Sequence, residues 1–218
     1  VRVIVLPVRS LDESKSRLTP VLSPMERGAL TLAMLEDVMD ATAVMPGWET
    51  WVVSPDDAVL EVAAIRGTRP IPEEQGPLGA ALIQAQTEAV AAGAQALTVL
   101  LPDTAMITPA ALTRALHTLG PVVIGPSADG VGTNLLVRRP CDTIAAHFGN
   151  DSFRRHLQAA AEAEVPAAVV ESPEVGFDLD LPGDILTVLR SRRRTRTRDV
   201  LRELGAEPRF DPAAAANR

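Results

Sequence analysis

Short apolar runs and helical stripes succeed one another along the chain, and their order is that of repeated strand–helix units. Val1 to Val8 is an apolar run containing Pro7, short enough for a buried strand, and the polar stretch Arg9 to Thr19 follows it as a loop. Ser23-Pro24-Met25-Glu26 sets an N-cap serine, a first-turn proline and a glutamate three residues on. That predicts a helix to about Ala43, with Leu30, Met34, Val38 and Ala41 on its buried stripe. Trp48 to Ser54 reads as a strand, Pro55 to Ile65 as a helix, Thr68 to Ile71 as a short strand, and Leu78 to Ala92 as an alanine-rich helix stopped by Gly93. Ala96 to Leu101 is the clearest buried strand; it delivers Pro102-Asp103 to a loop before Thr108-Pro109 opens a helix to Leu119. Beyond it come a strand at Val122 to Gly125, a turn at Ser127 to Gly132, an extended run at Thr133 to Arg138, a helix at Asp151 to Ala163 and a strand at Ala167 to Glu171. Phe177 to Leu181 alternates apolar and acidic residues.

Strands alternating with helices predict an α/β fold: a single Rossmann-like domain over residues 1–189, with an open, mostly parallel sheet and helices on both faces. Such sheets bind ligands beyond the carboxyl ends of their strands. From 190 to 218 an arginine-rich C-terminal helix and tail is expected. Arg190, Arg192, Arg193, Arg194, Arg196 and Arg198 are read as a solvated helix end, with a tail from Pro208.

Composition narrows the function classes. No apolar run approaches a membrane span, so no membrane partner is expected and the chain is read as cytoplasmic. A net charge of −7, 3% aromatic residues and no tyrosine remove both the basic field and the stacking platforms of a nucleic-acid binder. With one cysteine, Cys141, any metal must be held by oxygen or nitrogen ligands. His117, His147 and His156 lack ligand spacing and Cys141 lacks a neighbouring base, so none is given a catalytic role.

The carboxylates carry more. Asp178 and Asp180, one residue apart in an extended segment, put both side chains on one side, and Asp103 stands just past the end of the central strand. Together they suit Mg2+, which takes one or two carboxylates, several waters and substrate phosphates; the same spacing also suits surface carboxylates on an edge strand and a turn residue. Arg9, Lys15 and Arg17 crowd the loop after the first strand, where they could meet a triphosphate or form an ordinary polar loop. Gly76, in Gln75-Gly76-Pro77-Leu78-Gly79, permits close backbone approach ahead of a helix. Thr133 after Gly130 and Gly132, and Gly149 with Ser152 before a helix, offer further donors for a phosphate or carboxylate, although Asn150 or Asp151 could equally be there as helix caps.

Taken in order, these pieces resemble the guanylyltransferases that make the activated phospho-acid intermediate of the deazaflavin coenzyme F-420, relatives of the molybdopterin-guanylyltransferase-like nucleotidyltransferases. The likeness runs from about Val3 to Leu186. It is carried by Leu6-Pro7-Val8-Arg9 with Lys15-Ser16-Arg17-Leu18, by Leu22-Ser23-Pro24 with Glu26-Arg27, by Leu101-Pro102-Asp103, by Asp129-Gly130 with Gly132-Thr133-Asn134, by Phe148-Gly149 with Ser152-Phe153, and by Asp178-Leu179-Asp180. The chain departs from the family pattern at Thr104-Ala105-Met106, where leucine and proline are usual, and at Pro77-Leu78-Gly79, where Gly-Leu-Asn is frequent.

The resemblance implies a nucleotidyltransferase domain in which Asp103, Asp178 and Asp180 hold Mg2+, Lys15 and its loop handle the phosphates of GTP, and Thr133, Gly149 and Ser152 contact the phospho-acid. It also implies attack of the acid's phosphate on the α-phosphorus of GTP, loss of pyrophosphate, and hand-over of the product to a transferase acting on the deazaflavin. Phosphoenolpyruvate is the expected acid, because twenty arginines against one lysine suggest a GC-rich bacterium; 2-phospho-L-lactate and 3-phosphoglycerate are the alternatives. A homodimer is left open. Two readings of other kinds also stay open: a nucleotide-sugar glycosyltransferase, which shares the D-x-D pair, and a nonenzymatic nucleotide-binding regulatory module.

Overall fold

The computed structural model describes residues 1–73 and 76–205. Strands β1 (Arg2–Pro7), β2 (Trp48–Ser54), β3 (Arg69–Pro72), β4 (Ala96–Leu100), β5 (Val122–Pro126), β6 (Thr133–Arg138) and β7 (Ala167–Val169) form one sheet in the order β3-β2-β1-β4-β6-β5-β7. Every pairing is parallel except those of β6, which runs antiparallel to both β4 and β5. The reversed β6 starts where β4 ends, so Thr133 and Asn134 lie beside Leu101 and the loop after it; the Leu101 N–H donates to the Asn134 carbonyl at 2.9 Å.

Successive residues of a strand face opposite sides, and the buried residues sort accordingly. Ile4, Leu6, Val52, Leu100 and Val137 face α1 (Pro24–Ala43), α2 (Asp57–Ile65) and α4 (Pro109–His117). Val3, Val5, Val53 and Val99 face α3 (Leu78–Ala91), while Val122, Ile124 and Leu136 face α5 (Ser152–Glu162) on the same side. Both faces are thus covered, as a parallel sheet of near-continuous apolar strands requires.

Helix α1 starts as its sequence demands. The Ser23 hydroxyl accepts from the Glu26 N–H at 3.3 Å, and the Glu26 carboxylate accepts from the Ser23 N–H at 2.7 Å. Ser23→Ala should cost about 1 kcal/mol, read as a lowered urea midpoint with an unchanged slope.

Three parts of the C-terminal half differ from the sequence reading. Phe177 to Leu181 is extended but unpaired in the sheet, and it follows a one-turn helix, α6 (Pro173–Gly176), that the pattern does not announce. Leu181 is exposed, because it already stands at the start of α7 (Pro182–Arg190), where the Asp184 carboxylate accepts from the Asp180 and Leu181 N–H groups. The arginine-rich segment is a solvated helix end only in part: Arg190, Arg192 and Arg194 are exposed, whereas Arg193, Arg196 and Arg198 are half-buried. Its helix α8 (Arg196–Glu203) buries Thr197 and Leu201 completely against the rest of the chain. Asp37 of α1 accepts from the Arg196 and Thr197 N–H groups at 2.9 Å each, and Arg193 donates to the carbonyls of Met106 and Ile107. The tail from Pro208 lies outside the described residues.

Helices α1, α7 and α8 enclose a satellite core of Leu18, Leu22, Leu30, Met34, Ala105, Leu179, Ile185, Val188 and Leu201. This core positions the site, since Leu18, Ala105 and Leu179 each anchor a different loop at the carboxyl end of the sheet.

Candidate active site

Each anchoring residue lies within two positions of a charged one: Leu18 of Arg17, Ala105 of Asp103, Leu179 of Asp178 and Asp180. Leu179 is fully buried between Asp178 and Asp180, worth about 1.5–3 kcal/mol of apolar burial, and its N–H donates to the Asp103 carbonyl at 3.1 Å. Backbone of the D-x-D segment is thereby tied to the loop after β4 without a sheet ladder. Leu18 likewise holds the short 3-10 turn Ser16–Leu18, which Lys15 precedes with φ 50° and ψ 41°. A left-handed lysine is strained, and the surroundings must over-determine it.

Arg27, from the first turn of α1, does so. Its guanidinium is 6% exposed and donates to the carbonyls of Ser14 (3.1 Å), Leu22 (3.3 Å) and Asp12 (3.3 Å). Thr31 adds a bond to the Ser14 hydroxyl at 2.9 Å, and Asp56 accepts from the Leu11 N–H at 2.9 Å. A loop that reads as an ordinary polar stretch is therefore a fixed cradle.

The cradle brings the expected charges together. Lys15 Nζ lies 2.8 Å from Asp103 Oδ2 and 3.6 Å from Asp180 Oδ1, with its side chain 9% exposed, and Arg17 Nη1 lies 2.6 Å from Asp180 Oδ2. Asp178 completes the group: Asn134 Nδ2 donates to its Oδ1 at 3.3 Å, while also donating to the Val175 and Gly176 carbonyls. Burial, and then the charge of Asp103, push the Asp178 carboxyl above the usual carboxylate range, against the opposing pull of Asn134 and Lys15.

Beside Asp178, which lines neither, lies a cleft with two compartments, of about 260 Å³ and about 270 Å³, that share Pro7, Val8, Arg9, Glu13 and Leu78. Lys15, Arg17, Asp103 and Asp180 face the first; Gly76 faces the second. Arg9 is exposed at the seam and makes no ion pair among the described residues. Gln75 lies outside the described residues.

Among the described residues no three His, Cys, Asp or Glu side chains stand close enough to cage a metal by themselves. Even so, the donor set fits Mg2+. Asp103 Oδ1 is buried with no hydrogen-bond partner, and a carboxylate oxygen left in that state is costly unless a cation or donor meets it. Mg2+ asks the protein for one or two such oxygens and takes the rest from water and phosphates.

Thr133, Gly149 and Ser152 lie in adjoining segments and are not among the residues that line the two compartments. Ser152 opens α5, and the Phe153 N–H donates to the Val131 carbonyl at 3.0 Å, tying α5 to the loop before Thr133. Gly149 has φ +106°, a conformation that a side chain would strain. Asp151 makes no side-chain cap and its carboxylate turns to Arg154 instead, so capping does not account for this stretch. Thr133 and Ser152 are 2% and 1% exposed.

The sequence offered no role for His156, yet it holds Thr133. The His147 N–H donates to His156 Nε2 at 2.8 Å, so that nitrogen is an acceptor and the proton of the neutral ring sits on Nδ1. Nδ1 is 3.0 Å from Thr133 Oγ1 and donates to it, which leaves the threonine proton free for an anion.

A family described as guanylyl transferase CofC like matches residues 2–218. The chain belongs to this family. Among its relatives, a phosphoenolpyruvate guanylyltransferase of Rubrobacter xylanophilus is 41% identical over 184 residues, covering 83% of this chain and 90% of that protein. A 2-phospho-L-lactate guanylyltransferase of Halomicrobium mukohataei is 34% identical over 204 residues, covering 94% and 93%. The fold also matches that of a candidate nucleotide-diphospho-sugar transferase from Desulfovibrio desulfuricans G20 (TM-score 0.76, 20% identity, 94% and 95% covered). A nucleotidyl transferase from Methanothermobacter is similar at TM-score 0.62 and 19% identity, with 93% and 99% covered. The protein is thus a nucleotidyltransferase of the guanylyl transferase family, with the Rossmann-like α/β domain that its strand order displays. No helix among the described residues is long and apolar enough to cross a membrane.

Proposed function

We propose that the protein transfers GMP from GTP to the phosphate of phosphoenolpyruvate, giving enolpyruvyl-diphospho-5'-guanosine and pyrophosphate in coenzyme F-420 biosynthesis. The observation that carries this reading is the convergence of Lys15, Asp103 and Asp180 at one end of a cleft, in a chain of the guanylyl transferase family.

Chemistry asks little of the side chains. The attacking group is a phosphate monoester with a second pKa near ~6, already an anion at neutral pH, so no residue need act as base. What the chain must do is hold two anions that repel each other in line. Lys15 and Arg17, on a loop clamped by Arg27, face the triphosphate; Asp103, with one of its neighbours Asp178 and Asp180, would hold Mg2+ and leave the remaining positions to water and phosphate. When bound, Mg2+ neutralises the charge developing on the phosphates. The Thr133 hydroxyl, oriented by His156, and the first turn of α5 at Ser152 with Gly149 are assigned to the phospho-acid. The labile product suits direct hand-over to the transferase that acts on the deazaflavin.

Pyrophosphate release from GTP and Mg2+, measured separately with phosphoenolpyruvate, 2-phospho-L-lactate and 3-phosphoglycerate and coupled to mass analysis of the nucleotide, is expected with phosphoenolpyruvate. Turnover with another of the three alone would reassign the acid. Failure of all three with folded protein, alongside turnover of a nucleotide sugar, would replace this reading with a glycosyltransferase.

A further inference from the structure

The second compartment of the cleft lacks Lys15, Arg17, Asp103 and Asp180 of the first. Val53, Pro55, Leu78 and Ala81 line it with apolar side chains at the ends of β1 and β2 and the start of α3, and Ser10 and Glu73 add polar ones. Among the described residues, its sole ionisable side chain not shared with the first compartment is Glu73.

Glu73 directly follows β3, fixed there by its N–H, which donates to the Ser54 carbonyl at 3.1 Å. Its Oε1 is buried and has no hydrogen-bond partner among the described residues. Burial also pushes its carboxyl above the usual range, the mark of a group short of donors. A carboxylate accepts and never donates when ionised, so its setting beside Val53, Pro55, Leu78 and Ala81 suits a ligand with an apolar face and an edge that brings donors.

Guanine is such a ligand. One edge of the base carries two adjacent donors, the N1–H and the 2-amino group, spaced for the two oxygens of a single carboxylate. Adenine and cytosine place a ring-nitrogen acceptor in that position and would set a lone pair against the carboxylate. We propose that Glu73 is the residue that reads guanine: the base lies in the second compartment against Leu78 and Ala81, and the triphosphate runs across the shared wall at Arg9 to Lys15 and Arg17. This rests on GTP being the nucleotide, and adds where its base sits and what selects it.

Calorimetric titration of the full chain with GTP, ITP (which lacks the 2-amino group) and ATP separates the two claims, because it needs neither the acid nor turnover. Wild-type protein is expected to bind GTP about tenfold more tightly than ITP, and ATP more weakly still, as for loss of one charge-assisted hydrogen bond. In Glu73→Ala the GTP-to-ITP ratio is expected to fall to near one. Glu73→Gln, which retains shape and puts an amide where both donors point, should weaken GTP by about the same factor and leave the melting temperature unchanged. A wild-type preference for GTP that survives intact in both variants overturns the assignment of Glu73 alone. Wild-type protein that binds ATP as well as GTP overturns the guanine reading together with it.

Discussion

Asp103→Ala is expected to lower kcat by about 1,000-fold or more while the protein still melts as a folded domain. Asp103 is only partly buried and sits in a loop, so its loss opens no cavity in either main core. The backbone that ties this loop to the D-x-D segment, through the Asp103 carbonyl and the Leu179 N–H, survives the change. What vanishes is the carboxylate whose Oδ2 pairs with Lys15 and whose Oδ1 has no partner among the described residues. Asp103→Asn preserves the shape and removes the charge, and should fall nearly as far, since an amide is a poor ligand for a hard dication beside an ammonium group. Steady-state kinetics with a thermal melt of each variant decide it. Wild-type turnover in Asp103→Ala would sink the proposed metal site and, with it, the idea that this end of the cleft is where the α-phosphorus reacts.

Much of this arrangement was legible because it follows from periodicity. Apolar runs such as Val3 to Leu6 and Ala96 to Leu100 could only be buried strands between two helical layers, and the order of elements then put Asp103 at a strand's carboxyl end. Alternation likewise placed Leu179 inward and its two aspartates together. The structure brings Lys15 to Asp103 and Asp180, residues that the sequence singles out on separate grounds. What stayed hidden has one physical cause: a buried polar group takes its meaning from partners far along the chain. Arg27 looks like a helix-surface charge until Ser14, Leu22 and Asp12 turn their carbonyls to it. The arginines of α8 look solvated because long polar side chains mask a stripe of just Thr197 and Leu201, while Asp37 and Asp40 answer Arg196 from α1. His156 and Glu73 carry no local pattern at all, and the one-turn α6 is too short for any period to register.

His156 makes a second large effect measurable, this time on stability. Its ring is fully buried, packed edge-on to Phe148 at 5.1 Å, and both nitrogens are engaged in the neutral form. Burial first, and then the charges of His147, Arg138 and Arg155, push its pKa down to about 3 from the ordinary value near 6.5. Between those two values the unfolded chain binds a proton that the native chain refuses, so stability rises with pH across that window. The contribution of His156 is complete above about pH 6.5 and is lost as the pH falls toward 3, at a slope approaching about 1.4 kcal/mol per pH unit. Urea unfolding at pH 7.5 and pH 5 should therefore show the wild-type protein losing about 2 kcal/mol more than His156→Gln, whose side chain does not titrate. Equal losses in the two proteins would mean that the native ring accepts a proton, and the assignment of Nε2 as acceptor would fall. The same neutrality bears on catalysis. A phospho-acid gains its second charge near pH ~6, well above the native pKa of His156, so the ring that orients Thr133 keeps one tautomer throughout that titration. His156 then adds nothing to any pH dependence of phospho-acid affinity around neutrality, and His156→Gln should raise the KM for the acid without displacing its pH profile.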